Sequence, residues 1–162
     1  MKGPSSRDKF ISASLENNSS GNVELFNGIM GKDMNLIPDY DHDLTYSAII
    51  ADKVVQHWTE NLSDNTQIAY TKSLEQYCLF CTMTPAQLLK EGFMEKDPVP
   101  NLRRHIQRIV AFSSFLQKAG YELHHPDGTI IHKEYSPKAL TQKTAAIRSF
   151  YAKFGIDIPA KV

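Results

Sequence analysis

From Thr45 onward the apolar residues recur every three or four positions, and all but one of the periodic stretches are opened by a hydroxyl-bearing residue. That pattern fits stacked amphipathic helices and excludes an extended sheet, whose apolar residues would alternate. Thr45 or Ser47 opens a first helix carrying Ile49, Ile50, Val54 and Trp58. Ser63 or Asp64 opens a second, on which Tyr70, Leu74, Tyr77 and Cys81 fall at 4-3-4 spacing, with Cys78 and Phe80 widening the stripe. Thr84-Pro85, a cap followed by proline at the first helical position, starts a short helix through Leu88 and Leu89 that Gly92 is expected to end.

A loop at Asp97-Pro98-Val99-Pro100 leads to a long helix whose buried face is read as Leu102, Ile106, Ile109, Val110, Ser113 and Leu116. Gly120 stands where a left-handed C-terminal cap belongs. Between Glu122 and Lys133, Asp127-Gly128 separates two β-prone runs and reads as a hairpin turn. Ser136-Pro137 repeats the cap-plus-proline start. Leu140, Thr144, Ile147, Tyr151 and Phe154 follow on one face, and Gly155 closes the helix. The expected architecture is all-α, a bundle of four to five helices with one short hairpin-like excursion, over residues 46–162.

Residues 1–45 differ in kind. They are rich in Ser, Asn, Gly and Asp, and their apolar residues lack a sustained period. Such a segment buries too little surface to offset its ordering entropy and reads as a disordered tail, with room for one helical turn around Val23–Met30. Charge is divided the same way. Residues 1–46 hold four bases and seven acids, whereas 101–155 hold nine bases and three acids, although the whole chain sums to zero. A basic half beside an acidic tail points to a polyanionic partner. The acidic run Asp39–Asp43 is a candidate to fold back on the basic face and weaken its binding.

Several function classes find no support. No apolar run approaches the roughly 18–20 residues that span a bilayer, and no signal-peptide core is present, so the expected location is the cytoplasm. Cys78 and Cys81 lie on the apolar stripe of their helix; structural zinc needs four ligands, and the two read as small core residues. His124 and His125 are adjacent on a strand and point to opposite faces, so at most one joins His132. These are read as exposed hairpin residues, Trp58 as core, and no cofactor or metal is expected.

Two polar helix faces remain. On the second helix Gln67, Thr71 and Lys72 lie opposite the stripe, beside Ser63 and Thr66, at a helix N-terminus whose free amides suit phosphate. On the last helix the outward face holds Lys138, Gln142, Ala145, Ser149 and Lys153, flanked by Thr141 and Arg148. Small residues there would let a helix approach a duplex closely while Lys and Gln reach phosphates and base edges. Arg103, Arg104 and Arg108 crowd a helix start, against the helix dipole, which points to phosphate contact; pairing with Glu95 or Asp97 is the rival reading.

In their order, Ser63, Asn65, Thr66 and Tyr70, then Ser136, Pro137, Lys138, Ala146, Ile147, Arg148, Phe150 and Tyr151, resemble the core-binding domain of tyrosine recombinases and phage-type integrases. The resemblance covers roughly residues 47–159, and the exit Phe154–Pro159 is similar to that of archaeal-type members. Ala139 stands where Thr is usual after Ser-Pro-Lys, and the 121–135 segment is longer than usual. The resemblance implies a SAM-like bundle that clamps double-stranded DNA; with the polar faces and the arginine cluster, the expected DNA-facing set is Ser63, Asn65, Thr66, Gln67, Thr71, Lys72, Arg103, Arg104, Arg108, Lys138, Thr141, Gln142, Lys143, Arg148 and Ser149.

It also implies a nucleoid-associated protein whose partners are DNA and a catalytic recombinase half or further protomers. The family's Arg…His-x-x-Arg…Tyr equipment belongs to a separate C-terminal domain. His105-Ile-Gln-Arg108 matches one piece of it only by coincidence, inside the bundle. The chain is accordingly expected to be no enzyme on its own, as an integrase remnant or a free-standing regulator of recombination sites. The alternative is a helical protein–protein adaptor whose basic stripe is merely solvated.

Overall fold

In the computed structural model, residues 21–39 and 43–159 are described. They form seven α-helices and one two-stranded antiparallel sheet: α1 (Val23–Met30), α2 (Tyr46–Ala51), α3 (Lys53–Thr59), α4 (Asp64–Cys81), α5 (Pro85–Met94), α6 (Arg104–Ala119), β1 (Tyr121–His124), β2 (Ile130–Lys133) and α7 (Pro137–Lys153). The fold is all-α with one β-excursion, as the periodicity implies.

Local signals set most boundaries. Ser63, Thr84 and Ser136 cap α4, α5 and α7, each accepting from the amide three residues on, and Gln87 closes a reciprocal box on Thr84. The hairpin pairs Tyr121 with Lys133 through His124 with Ile130. Its turn is held by the Thr129 amide donating to Asp127 at 2.9 Å and the His125 amide donating to the Thr129 carbonyl at 2.8 Å. Gly120 has φ 61° and ψ −150° rather than the expected left-handed cap. That region is open essentially to glycine, and a Cβ there would run into the Lys133 carbonyl oxygen.

The first expected helix is two. At Asp52 the backbone turns extended, and the carboxylate accepts from the Val54 amide at 3.0 Å, ending α2 and capping α3. An aspartate able to bond its own following backbone competes with helix continuation. The short helix α5 runs through Gly92 to Met94, and Gly92 is buried against Ile156.

The core is shared by every helix. Phe26, Ile49, Val54, Leu74, Tyr77, Leu88, Phe112, Ile147, Phe150 and Phe154 are essentially sealed from solvent. On α4 the fully buried stripe is Thr71, Leu74, Tyr77 and Cys78, one step round from the expected one, so Tyr70 and Cys81 are only half-buried. On α6 Ile106, Ile109, Phe112 and Leu116 face inward with His105, whereas Leu102 and Val110 are exposed.

Of the expected disordered tail, residues 1–20 lie outside the described residues, whereas 21–39 are packed, and the helical turn expected around Val23–Met30 is present as α1. Phe26 packs edge-on against Phe93 with ring centroids 5.3 Å apart, and Ile37 is buried. The Asn22 amide donates to the Phe154 carbonyl at 2.8 Å. Gln87 Nε2 and Lys90 Nζ donate to the carbonyls of Pro38 and Ile37 at 2.5 and 3.1 Å. Val23, Leu25, Phe26, Ile29 and Met30 meet helices made elsewhere in the chain, and that long-range burial supplies what local periodicity lacks. Of the acidic run, 40–42 lie outside the described residues. Asp39 lies 3.7 Å from Lys90 on α5, away from the basic faces of α4 and α7.

Candidate nucleic-acid interface

The first half of α4 and the first half of α7 line one open groove of ≈ 620 Å³. Asn65, Thr66 and Lys72 form the α4 wall, and Gln142 and Lys143 the α7 wall. Four more of its lining residues are small, Ala69, Ser73, Ala139 and Ala145, and Tyr70 completes it. Two sequence segments some seventy residues apart are thereby placed across a single concavity. Small side chains let a partner's atoms approach the backbone, while the carboxamides, hydroxyl and ammonium groups present donors above it.

The groove is braced from behind. Tyr70 stacks on Trp58 at 5.5 Å with the rings 16° apart, and Trp58 Nε1 donates to Ser149 Oγ at 3.1 Å. At the other end Lys143 Nζ donates to Gln76 Oε1 at 2.5 Å and lies 5.1 Å above the Tyr135 ring. Gln76 Nε2 donates in turn to the Tyr135 hydroxyl at 3.2 Å. Partial burial lowers the Lys143 pKa from its ordinary value. Lys72 is exposed, 3.9 Å over the Tyr46 ring and 3.7 Å from Glu75, an arrangement that water screens. Lys138 projects from the exposed first turn of α7.

Several residues expected to face DNA are engaged by the protein instead. Thr71 is buried, donating to the Gln67 carbonyl at 2.8 Å and lying 2.8 Å from the Tyr46 hydroxyl. Ser149 is half-buried beneath Trp58. Thr141 turns its hydroxyl back to the Pro137 carbonyl at 3.0 Å, and the Ser63 hydroxyl is 2.9 Å from that of Thr66. Arg148 is withdrawn rather than engaged: it is half-buried, and its Nε is sealed from solvent without a hydrogen-bond partner among the described residues. Asn65, Gln67, Lys72, Lys138 and Gln142 are the exposed members of the expected set on these two helices that hold no such bond, Thr141 and Ser63 apart.

The arginine cluster does not join the groove. Arg108 makes a two-pronged pair with Glu91, at 2.7 and 2.8 Å, which raises the guanidinium's already high pKa. Arg103 Nε donates to the Asp97 carbonyl at 2.8 Å. Glu95 accepts from the Arg104 amide at 2.8 Å, capping α6; this bond is the main cause lowering the Glu95 pKa. Arg104 lines a separate depression together with Asp39, Lys90, Glu91 and Glu95. Pairing is therefore the structural role of Arg103 and Arg108, and the misfit with the helix dipole is answered by Glu95.

Cys78 is buried and Cys81 half-buried, and burial pushes the Cys81 thiol up to about 11. Among the described residues, no group of three or more His, Cys, Asp or Glu side chains is placed to hold a metal ion. No described helix is long and apolar enough to cross a membrane. Trp58 is core, as its helical spacing implies, but its bond to Ser149 and the bracing by Gln76 and Tyr135 join positions 59–91 residues apart and leave no local signal. No protein-family model matches the chain, and neither does any curated protein or solved structure.

Proposed function

We propose that the chain binds double-stranded DNA through the α4–α7 groove and the exposed first turns of its two helices, with Lys72 and Lys138 neutralising phosphates and Asn65, Gln67 and Gln142 supplying hydrogen bonds. The observation that carries this reading is the convergence of two polar faces, separately marked in the sequence, on one groove lined in part by small side chains. Lysines on both helices suit a partner of uniform negative charge, and the absence of acidic residues from the groove's lining agrees with it. The order of Ser63…Tyr70 and Ser136…Tyr151 supports a narrower version. In it the chain is the core-binding module of a tyrosine recombinase or integrase, holding a duplex in the nucleoid while a catalytic half cuts it.

Salt tests the proposal. Affinity for a short duplex is expected to fall linearly on log–log axes as salt rises, with a slope of about −0.9 per phosphate neutralised. Lys72→Ala/Lys138→Ala is expected to flatten that slope by about one per lysine removed. Lys53→Ala/Lys96→Ala, which removes as much charge from exposed positions on neither helix, is expected to change it less. Equal slopes for the two double variants would remove the groove from the interface. No binding at low salt would leave the adaptor reading.

A further inference from the structure

We infer that the α4–α7 groove selects A·T base pairs over G·C by reading their major-groove edges. The inference rests on the groove being the duplex-binding surface and adds which bases it prefers. In the major groove each base asks for a different partner. Adenine suits a carboxamide, and thymine an apolar contact for its methyl group; guanine suits a guanidinium or ammonium, and cytosine a carboxylate for its amino group. The groove supplies the first two and withholds the last two.

Asn65 on α4 and Gln142 on α7 both line the groove, and both are exposed. Among the described residues neither carboxamide is drawn into an internal hydrogen bond. Each therefore keeps a donor beside an acceptor, the complement of adenine's N7 and amino group. An exposed alanine follows each along the groove: Ala69, four residues after Asn65, and Ala145, three after Gln142. At those spacings the paired side chains are neighbours on one helix surface. A carboxamide beside a methyl group thus occurs once on each helix, and an adenine with an adjacent thymine is the combination of edges it fits.

Neither edge of a G·C pair finds its partner. None of the four described arginines lines the groove. Arg103 and Arg108 are held by the Asp97 carbonyl and Glu91, Arg104 lies in the depression with Glu95, and Arg148 is half-buried. Of the two lysines in the lining, Lys143 donates to Gln76, and Lys72 lies over the Tyr46 ring beside Glu75. No Asp or Glu lines the groove to accept from a cytosine amino group. A polar base edge set against alanines loses water without replacing it, a cost that a thymine methyl group does not carry.

Binding of the full chain to short duplexes of one length at low salt tests this. A mixed A·T duplex is expected to bind about tenfold tighter than a mixed G·C one, the scale of a base-edge contact. Inosine·C pairs keep the major-groove edge of G·C but carry the minor-groove edge of A·T, and they are expected to bind like G·C. Replacing thymine by uracil, which removes only the methyl group, is expected to weaken the A·T complex. Asn65→Ala/Gln142→Ala, with helicity unchanged, is expected to lose the preference yet keep the salt slope, since it removes no charge. Equal affinity for the two compositions, inosine·C binding like A·T, uracil without effect, or a preference that survives in the double variant would each overturn the inference and leave the duplex interface standing. No binding to any duplex would remove both.

Discussion

His105 is 2% exposed, packs 5.6 Å from the Tyr151 ring, and among the described residues has no partner for either ring nitrogen. Burial lowers its pKa below the ordinary 6.5, against the opposing pull of Glu95 and Glu91 and with a smaller contribution from Arg103. The fold therefore favours the neutral ring, and the unfolded chain binds the extra proton first. Stability from this site is complete above about pH 6.5 and is lost as pH falls from there to the lowered folded value. Urea unfolding at stepped pH is expected to show this loss, and His105→Phe to flatten it; an unchanged profile would mean the ring is hydrated. Gly21 makes a second test at this scale. Its φ is +74°, and a Cβ would lie 2.9 Å from the Phe154 carbonyl oxygen and 2.7 Å from Ile156. Gly21→Ala is expected to cost about 1–3 kcal/mol in thermal or urea unfolding. Thr71 and Ser149 show why single polar residues misled the sequence reading. Periodicity places a side chain on a helix face but is blind to Tyr46 or Trp58 arriving from another helix to bond it.

Elements were legible where their signals are local. Ser63, Thr84-Pro85 and Ser136-Pro137 mark true helix starts, and Asp127-Gly128 a true turn, because the capping side chain and the amide it accepts from lie within three residues. The break at Asp52 was missed because one carboxylate can continue a helix's polar face or cap the next one, and spacing does not decide between them. The packing of α1 was missed for another reason. Phe26 is buried by Phe93, sixty-seven positions away, within a polar stretch whose composition argues for disorder. Phe26→Ala is expected to cost about 3–5 kcal/mol, as for other fully buried aromatics. A loss under 1 kcal/mol, on the order of an exposed substitution, would return α1 to the tail.

At the scale of the molecule, α7 closes the bundle. Its inner face is Thr144, Ile147, Phe150 and Tyr151 in the core, and its outer face is one wall of the groove. Trp58, the chain's single tryptophan, connects the two sides by stacking on Tyr70 and bonding Ser149. Its emission is expected to change when a duplex occupies the groove, and Tyr70→Leu to remove most of that change without abolishing binding. The core helices and the two polar faces could be read from the chain. That they meet across one groove while the arginines are drawn to Glu91 and Asp97 follows only from the packing. The most direct test maps backbone amide shifts during titration with a short duplex at low salt. The largest changes are expected in residues 65–73 and 138–145, with little at Arg103 and Arg108. Changes concentrated on α6 or the hairpin, with the α4 and α7 segments silent, would contradict the assignment of the groove.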